Sequence, residues 1–202
     1  MEGPEIHTPH RHAGGLPRWL ELLIAVTALI TSISSIAIAL HHGEIMEKLV
    51  EANSIPYLEA DASNGTPDGQ DVISLDFHNR GVGPANQQSL KVKVGDRYVR
   101  SVPELIDTVL GPADAQAAKG LMRVVKNSVP TRFISGTHDQ FVFRIPKTEA
   151  NAAYWEKLSQ AAPNVGIEYC YCSVFHDCWE VRDLAQHEVK QCRRDEAHEF
   201  AP

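Results

Sequence analysis

The fold of this chain is set by the stretch Val72-Ile-Ser-Leu-Asp-Phe-His-Asn-Arg-Gly-Val-Gly-Pro-Ala85, in which an alternating strand runs directly into a glycine-rich turn. Apolar residues occupy every second position from 73 to 77, which is the pattern of a strand with one buried face. In the turn, Asn79 tolerates left-handed geometry, and Gly81 and Gly83 permit positive φ. Pro84 then fixes the chain as it leaves for the next strand. The stretch therefore predicts a sheet domain with a tight connection after this strand.

The same alternation recurs from residue 56 onward, with turn residues between the runs. The predicted strands cover residues 56–63, 72–78, 88–94, 97–100, 129–134, 140–145, 166–175 and 178–184. Two helices interrupt them: one follows Ser101, which has the capping-box spacing with Glu104, and one covers 149–162 with Thr148 as its N-cap. We therefore predict a mainly β domain, a β-sandwich decorated with short helices, over residues 56–184. A polar, solvated tail is predicted over 185–202.

A long apolar segment precedes this domain. From Leu20 to Leu40 the only ionisable side chain is Glu21, and a helix of that length spans roughly 30 Å, the thickness of a bilayer core. We predict a transmembrane helix over 19–41, a juxtamembrane helix over 42–55 and a cytoplasmic arm over 1–18. The alternative is a signal peptide cleaved after Ala37-Ile-Ala39, although its apolar part exceeds the roughly 7 to 15 residues usual in such signals.

The basic residues that flank this segment predict its orientation. Arg11 and Arg18 precede it, whereas Lys48 follows it among three glutamates. The positive-inside rule then puts the N-terminus in the cytoplasm and the domain outside, where cysteines can oxidise.

One face of the apolar helix carries small residues. Thr27, Thr31, Ser35 and Ala39 recur at four-residue spacing, so a second helix can approach them closely. The alternative is that the hydroxyls only bond back to carbonyls of their own helix. The first interpretation predicts a protein partner or a homo-oligomer formed through the membrane helix.

All four cysteines, Cys170, Cys172, Cys178 and Cys192, lie near the C-terminus. A Cys170–Cys172 bond is disfavoured, because alternate strand positions place the side chains too far apart, and two pairings remain. If residues 173–177 form a hairpin loop, Cys172 lies opposite Cys178, which favours that bond with Cys170–Cys192 as the second. The competitor is a zinc or redox site, but the spacing is neither C-x2-C nor C-x4-C. We predict no metal and no cofactor.

The turn after the strand over 72–78 is similar to turns found in two groups of proteins. His78-Asn-Arg-Gly-Val-Gly-Pro-Ala85 resembles the N-x-G-x-G-P-A turn of uncharacterised bacterial single-pass membrane proteins, and the N-x-G turns of immunoglobulin-like cell-surface sandwiches. The resemblance covers the anchor, the turn and the cysteine hairpin. It implies an immunoglobulin-like extracytoplasmic β-sandwich on a bacterial inner membrane, with the domain in the periplasm, and no established activity.

Composition narrows the function classes. The 202 residues carry 19 Lys and Arg against 26 Asp and Glu, a net charge of −7, which argues against nucleic acid as a partner. No G-x-S-x-G elbow or other nucleophile signature is found in the sequence, so we predict no catalytic residue. The sequence favours a membrane-anchored interaction module without catalytic activity. The alternatives are a thiol or zinc-dependent enzyme that uses the cysteines, and a small accessory subunit of a membrane complex.

Overall fold

The computed structural model describes residues 17–65, 68–127 and 133–202, so most of the predicted arm 1–18 lies outside the described residues. The chain divides into two units, Met1–Leu49 and Val50–Pro202. Helix α1, Arg18–Ala52, forms the described part of the first unit and enters the second by one turn. The transmembrane and juxtamembrane helices predicted over 19–41 and 42–55 are therefore parts of one continuous helix. It ends just before Asn53-Ser-Ile-Pro56, where the proline disfavours helical geometry in the preceding residue.

Within the described residues, α1 is the one helix long and apolar enough to cross a membrane. Its most apolar 18-residue window has a mean hydropathy of 2.3, and none of that window is buried in protein. A helix that is apolar all round lies either in a protein core or in a membrane, and no core of the described residues covers this one. Length and composition thus make α1 a candidate for a single span.

The second unit is mainly β, as the sequence predicts. Its strands are β1 Leu58–Ser63, β2 Val72–Asn79, β3 Ala85–Val94, β4 Arg97–Val99, β5 Val125–Lys126, β6 Phe133–Ile134, β7 Asp139–Pro146, β8 Val165–Cys172, β9 Cys178–Arg182 and β10 Ala185–Val189. The described part of the unit is completed by α2 Val102–Ala118, which is kinked at the non-helical Gly111 (φ 77°, ψ 166°), by α3 Ala152–Ala161 and by a short 3₁₀ turn, Ala162–Asn164. Of the strand predicted over 129–134, residues 129–132 lie outside the described residues.

These strands form two antiparallel sheets. The first has the order β1-β2-β7-β5, and the second has the order β10-β9-β8-β3-β4, with β6 also paired to β3. The sheets share one core: the ring of Phe77 in the first lies edge-on to the ring of Tyr169 in the second, with centroids 5.3 Å apart. The Tyr169 hydroxyl donates to the Leu58 carbonyl at 2.7 Å, which satisfies a buried polar group between the sheets.

Local chemistry explains where the helices begin. At α2 the Glu104 amide donates to Ser101 Oγ, and the Glu104 carboxylate accepts from the Arg100 amide at 2.9 Å, close to the predicted capping box. Helix α3 is assigned from Ala152, three residues after the predicted start at 149, with Asn151 at the N-cap position but without a side-chain cap bond. Thr148 and Asn151 bond each other reciprocally in the pattern of a capping box, in keeping with the predicted capping role of Thr148.

The C-terminal segment differs from the predicted solvated tail. Residues 185–189 form β10, which extends the second sheet beyond the predicted domain end at 184. Phe200 is 6% exposed, its ring lies 6.1 Å from that of Phe143, and its amide donates to the Leu90 carbonyl. The carboxylate of Glu199 accepts from the Ser89 hydroxyl at 2.6 Å. Most of the segment is exposed, in keeping with the seven charged residues among its 18, but these end residues dock it onto the domain.

Phe200→Ala tests this docking. Removal of a buried aromatic side chain leaves a cavity, so we expect the free energy of unfolding to fall by about 3 kcal/mol. Leu184→Ala is the control, because Leu184 is 97% exposed and its truncation should change stability by less than about 0.5 kcal/mol. Urea unfolding of the full chain in detergent, followed by tryptophan fluorescence, measures both. Equal losses in the two variants would contradict the docked arrangement.

Candidate functional site

The turn after β2 is organised around the side chain of Asn79, which is fully buried. Its Oδ1 accepts from the amides of Tyr57, at 3.2 Å, and Gly81, at 3.1 Å. Its Nδ2 donates to the carbonyls of Gly83 at 2.8 Å, Ile134 at 3.0 Å and Ser135 at 3.2 Å. One carboxamide therefore joins the segment that enters the domain, the turn itself and the loop after β6.

The turn glycines have a different role from the predicted one. Positive φ is found at other glycines, not at Gly81 or Gly83, so that prediction is wrong. A Cβ at Gly83 would lie 1.8 Å from the Ser54 carbonyl oxygen, and one at Gly81 would lie 2.4 Å from the Tyr57 nitrogen. Glycine is required here because two backbones touch. Pro84 follows directly and leads the chain into β3.

Asn79→Ala removes the carboxamide and with it the hydrogen bonds to two backbone amides and three carbonyls, of which the bonds to the Gly83 and Ile134 carbonyls are buried. We expect the free energy of unfolding to fall by about 4 kcal/mol, since each such group costs about 1 to 3 kcal/mol. The control is Asn64→Ala, because Asn64 is exposed and donates one bond to Ser159. That variant should lose less than about 1 kcal/mol. A small loss in both variants, measured by urea unfolding, would show that the carboxamide does not join the three segments.

The four cysteines form two disulfides, one within the β8–β9 hairpin and one that joins the hairpin to the C-terminal segment. Cys172 lies opposite Cys178 in the strand register and is bonded to it, and Cys170 is bonded to Cys192. This is the pairing that the hairpin register favours. Within the loop, Ser173 Oγ accepts from the amides of Phe175 and Asp177, which closes the chain between the strands.

The two disulfides also touch each other. Cys172 Sγ lies 3.7 Å from Cys192 Sγ, and the sulfurs of Cys172, Cys178 and Cys192 all lie within 4.8 Å of one another. Cys192 is partly exposed, whereas the other three cysteines are buried. A metal binds the thiolate form of cysteine, and in this state all four sulfurs are held in disulfides.

The small-residue face of α1 makes local hydrogen bonds. The hydroxyls of Thr27, Thr31 and Ser35 donate to carbonyls of the preceding turn at 2.7–3.0 Å. Their polar groups are thus satisfied within the helix, as one of the two interpretations predicts. These residues and Ala39 are exposed, so the face remains open to a second helix.

A charged network that the sequence did not indicate lies on the second sheet. The Glu168 carboxylate accepts from Lys93 Nζ at 3.2 Å and from the Tyr98 hydroxyl at 3.1 Å. The hydrogen bonds of Lys93 to Glu168 and to Asp183 raise the pKa of Lys93. Burial and the Glu168 carboxylate raise the pKa of Tyr98. Only the pairing of β3 with β8 and β4 brings these residues together, so no local sequence signal could reveal them.

Comparison with models of known protein families, with curated proteins and with solved structures finds no match to this chain.

Proposed function

We propose that this chain is a single-pass membrane protein, with its N-terminus in the cytoplasm, whose external domain is a non-catalytic interaction or accessory module. The observation that carries the proposal is the combination of a fully exposed apolar helix with a domain closed by two disulfides. Disulfides persist in oxidising compartments, which matches a domain on the outer side of a bacterial inner membrane. The lipid bilayer is then the first partner.

We also propose that the domain is immunoglobulin-like. The neighbours β1-β2-β7-β5 correspond to strands A, B, E and D of that fold, and β3, β8 and β9 correspond to C, F and G. β4 then takes the place of C′. The disulfides join the F–G hairpin and the C-terminal segment, whereas antibody domains join B to F. Such sandwiches support recognition on their loops and edges, in keeping with an interaction module.

Two other functions have an observation in their favour. The close approach of three sulfurs favours a thiol or zinc-dependent enzyme, provided the cysteines are reduced in the cell. The open face at Thr27, Thr31, Ser35 and Ala39 favours an accessory subunit held in a membrane complex by helix packing.

Counting thiols on protein taken from native membranes separates these functions. Alkylation before reduction should modify no cysteine, alkylation after reduction should modify all four, and peptide mapping should find Cys172 joined to Cys178. Four thiols that alkylate without reduction would place the domain in the cytoplasm and favour the zinc or thiol enzyme.

A matched pair of variants tests the orientation directly. Leu184→Cys adds an exposed thiol to the domain, and His10→Cys adds one to the N-terminal arm. A membrane-impermeant maleimide should label only Leu184→Cys in spheroplasts with an intact inner membrane, and both variants after lysis. The opposite labelling would reverse the orientation.

A further inference from the structure

An open cavity of about 680 Å³ lies beside the Cys170–Cys192 disulfide on the second sheet. Cys170 forms part of its wall, as do Gln191 and Arg193 on either side of Cys192. Four cationic side chains line it, against two carboxylates: Lys91, Arg182, Lys190 and Arg193 face Glu180 and Asp195.

Both carboxylates of this cavity are already paired. Glu180 accepts from Arg182 at 2.6 Å, and Asp195 lies 2.7 Å from His198. With four cationic side chains against two carboxylates, the lining carries a net positive charge, although the whole chain carries −7. Cationic, partly open surroundings stabilise a thiolate, which is both the nucleophile and the leaving group of disulfide exchange.

The second disulfide lies within reach of the first. Cys192 Sγ is bonded to Cys170 and lies 3.7 Å from Cys172 Sγ, which is bonded to Cys178. Cys192 is the one partly exposed cysteine, so an external thiol meets it first. We propose that the Cys170–Cys192 disulfide is a thiol–disulfide exchange site, which accepts two electrons from a dithiol at Cys192, at the edge of this cavity, and that the remaining disulfide then moves to Cys172–Cys192. This activity goes beyond the proposed interaction module.

The exchange consists of three nucleophilic substitutions at sulfur. One thiolate of the dithiol attacks Cys192 Sγ, the Cys170–Cys192 bond breaks, and Cys170 leaves as a thiolate beside the cations. In the mixed disulfide, one sulfur of the dithiol is bonded to Cys192, and the second thiolate of the dithiol attacks that sulfur. The dithiol leaves as a disulfide, and Cys192 becomes a thiolate. Cys192 then attacks Cys172 Sγ and releases Cys178, which takes up a proton. The product has one disulfide, Cys172–Cys192, and thiols at Cys170 and Cys178.

Two serine variants test the exchange without any reductant. Cys178→Ser leaves a Cys172 thiol in contact with Cys192, and Cys172→Ser, the matched control, loses the same hairpin disulfide but leaves the thiol at position 178. The purified full chain in detergent is quenched in acid, alkylated and mapped by mass spectrometry. We expect Cys172–Cys192, with Cys170 alkylated, in Cys178→Ser. The control should retain Cys170–Cys192 in most molecules. Cys170–Cys192 alone in both variants would overturn the proposal.

Wild-type protein gives an independent test if a variant fails to fold. Dithiothreitol below one equivalent should produce Cys172–Cys192 with thiols at Cys170 and Cys178. Lys190→Glu combined with Arg193→Glu should slow the first reduction about fivefold, since the leaving thiolate loses its cations. The charge-matched control outside the cavity lining, Lys119→Glu combined with Arg123→Glu, should react at the wild-type rate. Partial reduction without a Cys172–Cys192 product, or equal rates in the two charge variants, would contradict the site.

Discussion

The hydrogen bonds of one buried carboxamide, that of Asn79, are the constraint on which the arrangement of this domain depends. The side chain belongs to the last residue of β2, in the first sheet. One of its acceptors is Ile134 in β6, which pairs with β3 of the second sheet, and one of its donors is Tyr57, just before β1. Buried backbone groups must be paired, so a single buried side chain that bonds five backbone groups fixes three chain segments at one end of the domain.

The disulfide hairpin occupies another part of the second sheet. Antiparallel register places Cys172 opposite Cys178, and Cys170 points to the same face of β8 because it lies two residues earlier. The bond to Cys192 then ties the C-terminal segment to this face, and Glu199 and Phe200 dock its end. The same geometry that ties down the segment brings the two disulfides into contact and lines the adjacent cavity with basic side chains. The proposed exchange chemistry therefore follows from how the tail is held.

Much of the fold could be predicted because its causes are local. Alternation predicted β2 and β7 to within a residue or two, and the spacing of Ser101 and Glu104 predicted the start of α2. β5 has two residues and is too short to show alternation, and β10 lies among charged and polar residues that indicated a solvated tail.

The site was harder to predict, because its causes are distant in sequence. The turn residues were recognised from their types, but their roles depend on Ser54, Tyr57 and Ile134, which only the folded chain brings to them. Ser74 and Asp76 are buried, although alternation put them on the solvent face. A register shift between Leu75 and Asp76 breaks the simple pattern, and Arg144 provides a partner for the Asp76 carboxylate. The cysteine pairing needed only the register of one hairpin and was therefore favoured from the sequence.

Native-state hydrogen exchange of the full chain in detergent tests the role of Asn79 most directly. The amides of Tyr57 and Gly81, which donate to its Oδ1, should exchange as slowly as the most protected amides of β3, because they open only when the whole domain unfolds. If these two amides exchange much faster while β3 stays protected, this end of the domain frays independently, and the carboxamide is not the constraint that holds the three segments together.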